Sequence, residues 1–127
     1  MRKLMILVAL AALLVAALAT AAYARDFTCK HTPCNGTEER DSIFERTGNG
    51  VDDVIYGKRG ADVIDASLYT NDVDILYGGR GADTLDTDDG DSLDTVRGQK
   101  GDDTCYIDAG DTAFNCETLY IDGMLQT

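Results

Sequence analysis

A nine-residue unit recurs along the chain, and this repeat constrains the fold more than any other feature of the sequence. Its clearest copies begin at Gly57, Gly78 and Gly98, with glycine at positions 1 and 4, aspartate at position 6 and a small or apolar residue at position 8. Five looser copies keep the acid and the apolar residue. The position-6 acids of the eight copies are Asp41, Asp53, Asp62, Asp74, Asp83, Asp94, Asp103 and Glu117. Short repeated units fold by stacking, because one unit alone cannot bury its apolar side.

The spacing of these acids alternates, and the alternation indicates a flattened coil. Successive steps are 12, 9, 12, 9, 11, 9 and 14 residues, so that alternate acids are 20 or 21 residues apart up to Asp103. Such a coil has two short strands per turn and two different end loops. We call the Gly-rich end the tight edge and the end with two or three extra residues the wide edge. Eight half-turns predict an all-β protein, a right-handed parallel β-roll (β-solenoid) of about four turns.

The residues that follow each acid suit short strands. Seven of the eight position-7 residues are β-branched, which favours extended backbone. Position 8 carries no strongly polar side chain, and alternation along a strand sends it inward while positions 7 and 9 point outward. Outward position 9 is expected to stack Tyr56, Tyr77, Arg97 and Tyr120 on one face. On the other face it is expected to stack Phe44, Asp65, Asp86 and Tyr106. We interpret these stacks mainly as cover for the strands, and alternatively as a surface for a glycan or a protein partner.

The copy at residues 78–86 reads Gly-Gly-Arg-Gly-Ala-Asp-Thr-Leu-Asp. It resembles the RTX (haemolysin-type) calcium-binding nonapeptide, Gly-Gly-x-Gly-x-Asp-x-U-x with U apolar, and the likeness extends from about Asn35 to Tyr120. The ends, Pro-Cys-Asn-Gly-Thr at 33–37 and Asp-Thr-Cys-Tyr at 103–106, are similar to small exported bacterial members of that family. The resemblance implies a β-roll that binds Ca²⁺. Two departures are that only this copy keeps both opening glycines and that position 3 is basic.

The first 24 residues have the layout of a signal peptide. A short basic start precedes an unbroken apolar run, and Ala22-Tyr23-Ala24 forms a small-x-small cleavage site. We therefore expect residues 1–24 to be a signal peptide and 25–127 to be the secreted calcium-binding domain. An uncleaved membrane anchor is the alternative. Once the signal is removed, we expect no membrane association.

Charge excludes one class of partner, and the cysteines indicate the compartment. The formal charge is −12, and losing Arg2 and Lys3 makes it −14, so nucleic acid would be repelled. Four cysteines in an exported chain predict two disulfides with three pairings open, of which local pairing is favoured. These cysteines are Cys29, Cys34, Cys105 and Cys116. The spacings are Cys-x4-Cys and Cys-x10-Cys, and because the second is long for a zinc pair, zinc is disfavoured.

Calcium is the cofactor that the tight edge predicts. Ca²⁺ takes six to eight hard oxygen ligands, and stacked Gly-rich loops offer carbonyl oxygens beside carboxylates. Three good loops leave two gaps, so we expect about two ions. Position 3 can be basic, because only its backbone oxygen would bind. The predicted ligands are Asp62, Asp83 and Asp103, with carbonyls from Gly57, Arg59, Gly60, Gly78, Gly79, Arg80, Gly81, Gly98, Lys100 and Gly101.

Two further positions for metal follow from the same pattern. The degenerate loop at Asp41 could form a third site on the tight edge. The wide edge could bind further ions through its aspartates, although glycine is sparse there; these are Asp52, Asp53, Asp72, Asp74, Asp91 and Asp94.

Three function classes are consistent with these features. The first is a secreted structural or adhesive module that calcium stabilises, and we expect it to be a monomer. The second is a binding module for a cell-surface glycan or protein that uses the tyrosine face. The third, which we disfavour, is a calcium-dependent enzyme acting on polysaccharides. Arg59, Arg80 and Lys100 lie beside the aspartates, but each occupies the same place in a repeat and none is singular. His31 is the only histidine, so a Ser-His-Asp triad is left with one candidate base near the N-terminal cysteines.

Overall fold

The computed structural model describes residues 25–45 and 50–127, which contain twelve β-strands and no helix. The predicted signal peptide lies outside the described residues. The strands are β1 (Arg25–Thr28), β2 (Cys34–Asn35), β3 (Asp41–Phe44), β4 (Val54–Arg59), β5 (Val63–Asp65), β6 (Ile75–Arg80), β7 (Thr84–Asp86), β8 (Thr95–Lys100), β9 (Thr104–Ile107), β10 (Thr112–Phe114), β11 (Thr118–Ile121) and β12 (Met124–Leu125).

Successive strands alternate between two sheets, which confirms the coil. One sheet has the order β1-β3-β5-β7-β9-β11-β12 and the other β10-β8-β6-β4-β2. Every pair is parallel except the terminal β11–β12 pair. Ile43 pairs with Ile64 and Ile55 with Leu76, so the register follows the 21-residue turn. The chain is a parallel β-solenoid of about four turns, as the spacing predicted.

The core is the interior of this coil, and position 8 fills it. The position-8 residues from the first seven copies are fully buried, whereas Leu119 is partly buried against them. Position 7 is half-buried on the outer faces, as alternation requires. The fully buried members are Ile43, Ile55, Ile64, Leu76, Leu85, Val96 and Cys105.

The last turn differs from the prediction. We expected Tyr120 above Arg97, but Tyr120 pairs with Tyr106 in the other sheet, and their rings stack with centroids 4.8 Å apart. Strand β10 supplies the missing half-turn, and its Phe114 lies beyond Arg97, whose guanidinium carbon is 4.3 Å from the ring centroid. The reason is that the 14-residue step after Asp103 contains an extra short strand, β10, which the count of eight half-turns left out.

Two disulfides close the ends of the coil with the favoured local pairing. Cys29 is bonded to Cys34 and Cys105 to Cys116, with Cα atoms 5.6 and 5.9 Å apart. A disulfide-bonded chain fits an oxidising compartment. Between residues 25 and 45 and from 50 to the C-terminus, the structure has no helix long and apolar enough to span a membrane.

Candidate metal centre

The tight edge turns sharply because two loop positions adopt left-handed backbone. At position 2, Lys58 and Gln99 have φ of 83° and 79°. At position 4, Gly81 has φ of 144°, and a Cβ added there would lie 1.4 Å from the carbonyl oxygen of Gly60 in the turn before. Only glycine permits both this backbone angle and this approach. The position-4 carbonyls therefore stack along the edge, each directed at the next glycine.

The position-6 aspartates of the tight edge form a ladder across the turns. In each turn the backbone N–H of the acid donates to a carboxylate oxygen of the acid one turn later. The distances are 2.8 Å from Asp41 to Asp62, from Asp62 to Asp83 and from Asp83 to Asp103. Asp103 donates to Glu117 at 2.9 Å. These bonds hold every carboxylate of the predicted site inside the coil at a repeated position.

In Asp62, Asp83 and Asp103 the second carboxylate oxygen faces the loop interior without a partner, whereas Asp41 Oδ2 accepts a hydrogen bond of 2.6 Å from the N–H of Thr37. Oδ2 of Asp62, Asp83 and Asp103 is buried and makes no hydrogen bond. A Cβ added to Gly78 would lie 2.6 Å from Asp83 Oδ2 and 2.8 Å from the carbonyl oxygen of Gly98. A carboxylate oxygen and a carbonyl oxygen of the next turn thus converge over each position-1 glycine. This is the hard-oxygen donor set that suits Ca²⁺.

Burial makes these carboxylates hard to ionise without a counter-charge. Removal from water raises the pKa of Asp62 and of Asp83 to about 6, outweighing the backbone N–H that each accepts, which lowers the pKa. Burial also raises the pKa of Asp103, and Glu117 adds repulsion. A bound cation would reverse the shift, because it favours the charged form.

The basic position-3 residues point away from this interior. The side chains of Arg59, Arg80 and Lys100 are exposed. The carbonyl oxygens of Arg80 and Lys100 accept hydrogen bonds of 2.9 Å from the N–H groups of Gly60 and Gly81. These carbonyls therefore link successive turns, and their role as calcium ligands stays a prediction.

The wide edge carries a second ladder that the sequence revealed only in part. Asp53 donates through its N–H to Asp74, Asp74 to Asp94, and Asp94 to Asp111, at 2.7, 2.7 and 3.0 Å. Asp53, Asp74 and Asp94 therefore share one edge, as expected. Asp111 was missed because we took Glu117 as the last position-6 acid, although Asp111 is followed by a β-branched residue and by Ala113 at position 8.

Two other acids of the wide edge, Glu45 and Asp89, were also missed, and like Asp111 each belongs to a three-carboxylate group. The groups are Glu45–Asp72–Asp74, Asp72–Asp89–Asp91 and Asp91–Asp94–Asp111. Acid-x-acid spacing at residues 72–74 and 89–91 is the sequence signal that could have found two of them. Glu45 carried no such signal.

A parallel β-solenoid with buried carboxylates on glycine-rich turns defines a cation-binding repeat domain. Residues 47–67, 70–104 and 90–112 match the RTX calcium-binding nonapeptide repeat (4 copies). These segments cover half of the chain, and the chain belongs to that family. Comparison with curated proteins and with solved structures found no match.

Proposed function

We propose that this protein is a secreted calcium-binding domain in which Ca²⁺ ions lie between successive tight-edge loops and stabilise the coil. The observation that carries the proposal is the row of buried carboxylate oxygens, one each from Asp62, Asp83 and Asp103, that have no hydrogen-bond partner. An unpaired carboxylate in the interior is costly, and a divalent cation offsets that cost. The family's calcium binding supports the same choice of ion.

The ligands would come from two adjacent turns at a time. Asp62 with Asp83, and Asp83 with Asp103, bracket the two gaps between the three glycine-rich loops. Carbonyl oxygens of the position-1 and position-4 glycines face these gaps. About two ions are therefore expected on this edge, and Asp83 borders both.

The setting of this activity is proposed to be outside the cell, with the domain acting as a structural or adhesive module. The signal-like residues 1–24 and the two disulfides support export. Extracellular calcium modules bind with dissociation constants on the order of 10⁻⁴–10⁻³ M. Where calcium is scarce the coil would have low stability. Outside the cell the free energy of calcium binding would add to the free energy of folding.

A calorimetric calcium titration of residues 25–127 tests the proposal. Asp83→Asn removes one buried ligand while keeping the shape of the side chain. It should weaken tight-edge binding by about tenfold or more, which corresponds to about 1.4 kcal/mol. Asp102→Asn is the matched control, since it removes one exposed charge from the neighbouring loop. Equal titrations for Asp83→Asn and wild type would refute calcium binding at this edge.

A second candidate function is binding of an acidic glycan or protein segment, and one surface feature favours it. The rings of Tyr56 and Tyr77 stack with centroids 4.6 Å apart and 8° between planes. They line a shallow groove with Arg59, Arg80 and Lys100. Aromatic faces beside basic groups suit sugar rings that carry carboxylates. A glycan array with wild type and Tyr77→Ala would test this, and equal signals from both would exclude the groove.

A further inference from the structure

Beyond Arg59 the wide-edge segments carry acids without basic neighbours in the sequence, whereas Glu45 is followed by Arg46. Residues 60–79, 81–96 and 101–127 contain neither lysine nor arginine. In the described part of the chain, Arg59 forms its ion pair with Glu38, on the tight-edge side. The negative charge of the wide-edge loops therefore has no side-chain cation to offset it within these segments.

The most buried acids of this edge converge on one point. One carboxylate oxygen from each of Glu45, Asp72 and Asp74 lies within 4.8 Å of the other two. Two oxygens that bind the same Ca²⁺, each at about 2.3–2.6 Å from it, are separated by no more than about 5 Å. The three side chains are 2, 3 and 1 % exposed. Glu45 lies in one wide-edge loop and Asp72 and Asp74 both lie in the loop of the next turn, so an ion here would join two turns as the tight-edge ions do.

Two members of this group, Glu45 and Asp72, each have a carboxylate oxygen that lacks a hydrogen-bond partner. Glu45 accepts a short hydrogen bond at Oε1 from the N–H of Leu68, whereas its Oε2 is buried with no hydrogen bond. Asp72 Oδ2 is also buried and unpaired. Because buried polar atoms are otherwise satisfied in folded proteins, these oxygens are available to bind a cation. The donor set is oxygen alone, which suits Ca²⁺ over Zn²⁺.

The groups continue along the edge by sharing members. Asp72 belongs to the first group and to Asp72–Asp89–Asp91, and Asp91 belongs to that group and to Asp91–Asp94–Asp111. In the last group Asp94 is 3 % exposed and its Oδ2 makes no hydrogen bond. The carboxylates therefore form a continuous line across four turns.

We propose that the wide edge holds a second class of calcium site, built from side-chain carboxylates alone, with Glu45, Asp72 and Asp74 as its best-formed member. The inference rests on the proposed function only in taking Ca²⁺ as the ion. It differs in its ligands, because the tight edge adds backbone carbonyls over glycine and the wide edge does not. Glu45 would tie the first turn of the coil to the second.

Calcium calorimetry and thermal unfolding of residues 25–127 test this site. Glu45→Gln should remove about one ion from the stoichiometry while leaving the melting temperature in chelator equal or higher, because a buried charge has been lost. Asp72→Asn should remove as much or more, since Asp72 belongs to two groups. Asp26→Asn removes an exposed charge from β1 and should match wild type.

The outcomes separate the two edges. Both proposals are supported if Glu45→Gln and Asp72→Asn bind fewer ions than wild type and Asp83→Asn also loses calcium binding at the tight edge. If both wide-edge variants fold and keep the wild-type stoichiometry and affinities, the wide-edge site is refuted and the proposal for the tight edge is unaffected. If only the wide-edge variants lose ions, the tight-edge assignment fails. Should Glu45→Gln not fold, Asp72→Asn decides by the same criterion.

Discussion

Without calcium, the coil should lose stability as the pH rises from about 5 to 8. The groups responsible are Glu45, Asp74 and Asp94, each at most 3 % exposed. Burial raises the pKa of Glu45 to about 7, of Asp74 to about 8 and of Asp94 to about 7, and neighbouring carboxylates contribute to all three. In the unfolded chain such groups titrate near their usual values of about 4.

The sign follows from which state binds more protons. A carboxyl whose pKa is raised by folding stays protonated in the folded chain at pH values where the unfolded chain has lost the proton. Stability is therefore highest below the unfolded pKa and falls as the pH rises to the folded pKa. Between pH 6 and 7 these groups hold about two extra protons in the folded chain, which gives a slope of up to about 3 kcal/mol per pH unit.

The melting temperature measured by circular dichroism in chelator checks this slope. A domain of this size shifts by about 4–8 °C per kcal/mol, so the midpoint should fall by about 5–20 °C per pH unit near neutrality. With saturating Ca²⁺ the fall should be smaller, because the ion holds the carboxylates in their charged form. A midpoint in chelator that is constant or rises from pH 5.5 to 7.5 would refute the assignment of buried, unpaired acids.

Three further results are expected. Gly81→Ala should lower the free energy of unfolding by about 3 kcal/mol or more, since a Cβ there meets a backbone carbonyl. Gly123→Ala, with no atom within 4 Å of the added group, should lower it by about 1 kcal/mol. Equal losses for the two variants in denaturant titrations would contradict this. Asp83→Ala should weaken calcium binding more than Asp103→Ala in calorimetry, because Asp83 borders two gaps. Equal losses of affinity would contradict the arrangement of two sites that share Asp83. Mass spectrometry of exported protein should find a start near Arg25 and no cysteine alkylated before reduction, and a retained residue 1 or free thiols would contradict export.

The fold was predictable because the residues that repeat along the chain each have one structural role. Glycine at position 4 marks a left-handed turn, and an apolar residue two places after each acid marks the inward side of a strand. The apolar residue recurs in step from Asp41 to Asp103, and the glycine recurs in the three copies that begin at Gly57, Gly78 and Gly98, where the tight edge turns. The local disulfides were predictable for the simpler reason that their partners lie close in sequence.

The last turn and the wide edge were less predictable because their geometry depends on partners rather than on local backbone. Strand β10 pairs with β8 through backbone hydrogen bonds, and its sequence signal is limited to Asp111 two places before Ala113, which is weaker than the signal of Glu117 and Leu119 that we took as the last copy. Glu45 approaches Asp72 only because the coil places residues 27 positions apart in sequence against each other. Such convergence is a property of stacking and is absent from any nine-residue window.

Anomalous diffraction from crystals grown with Ca²⁺ tests the central claim most directly, because calcium scatters anomalously and its position is read without assuming the ligands. Density is predicted between the tight-edge loops, one peak bordered by Asp62 and Asp83 and one by Asp83 and Asp103. Each should lie about 2.3–2.6 Å from carboxylate and carbonyl oxygens. Crystals at millimolar calcium with no anomalous peak along the tight edge would contradict the account.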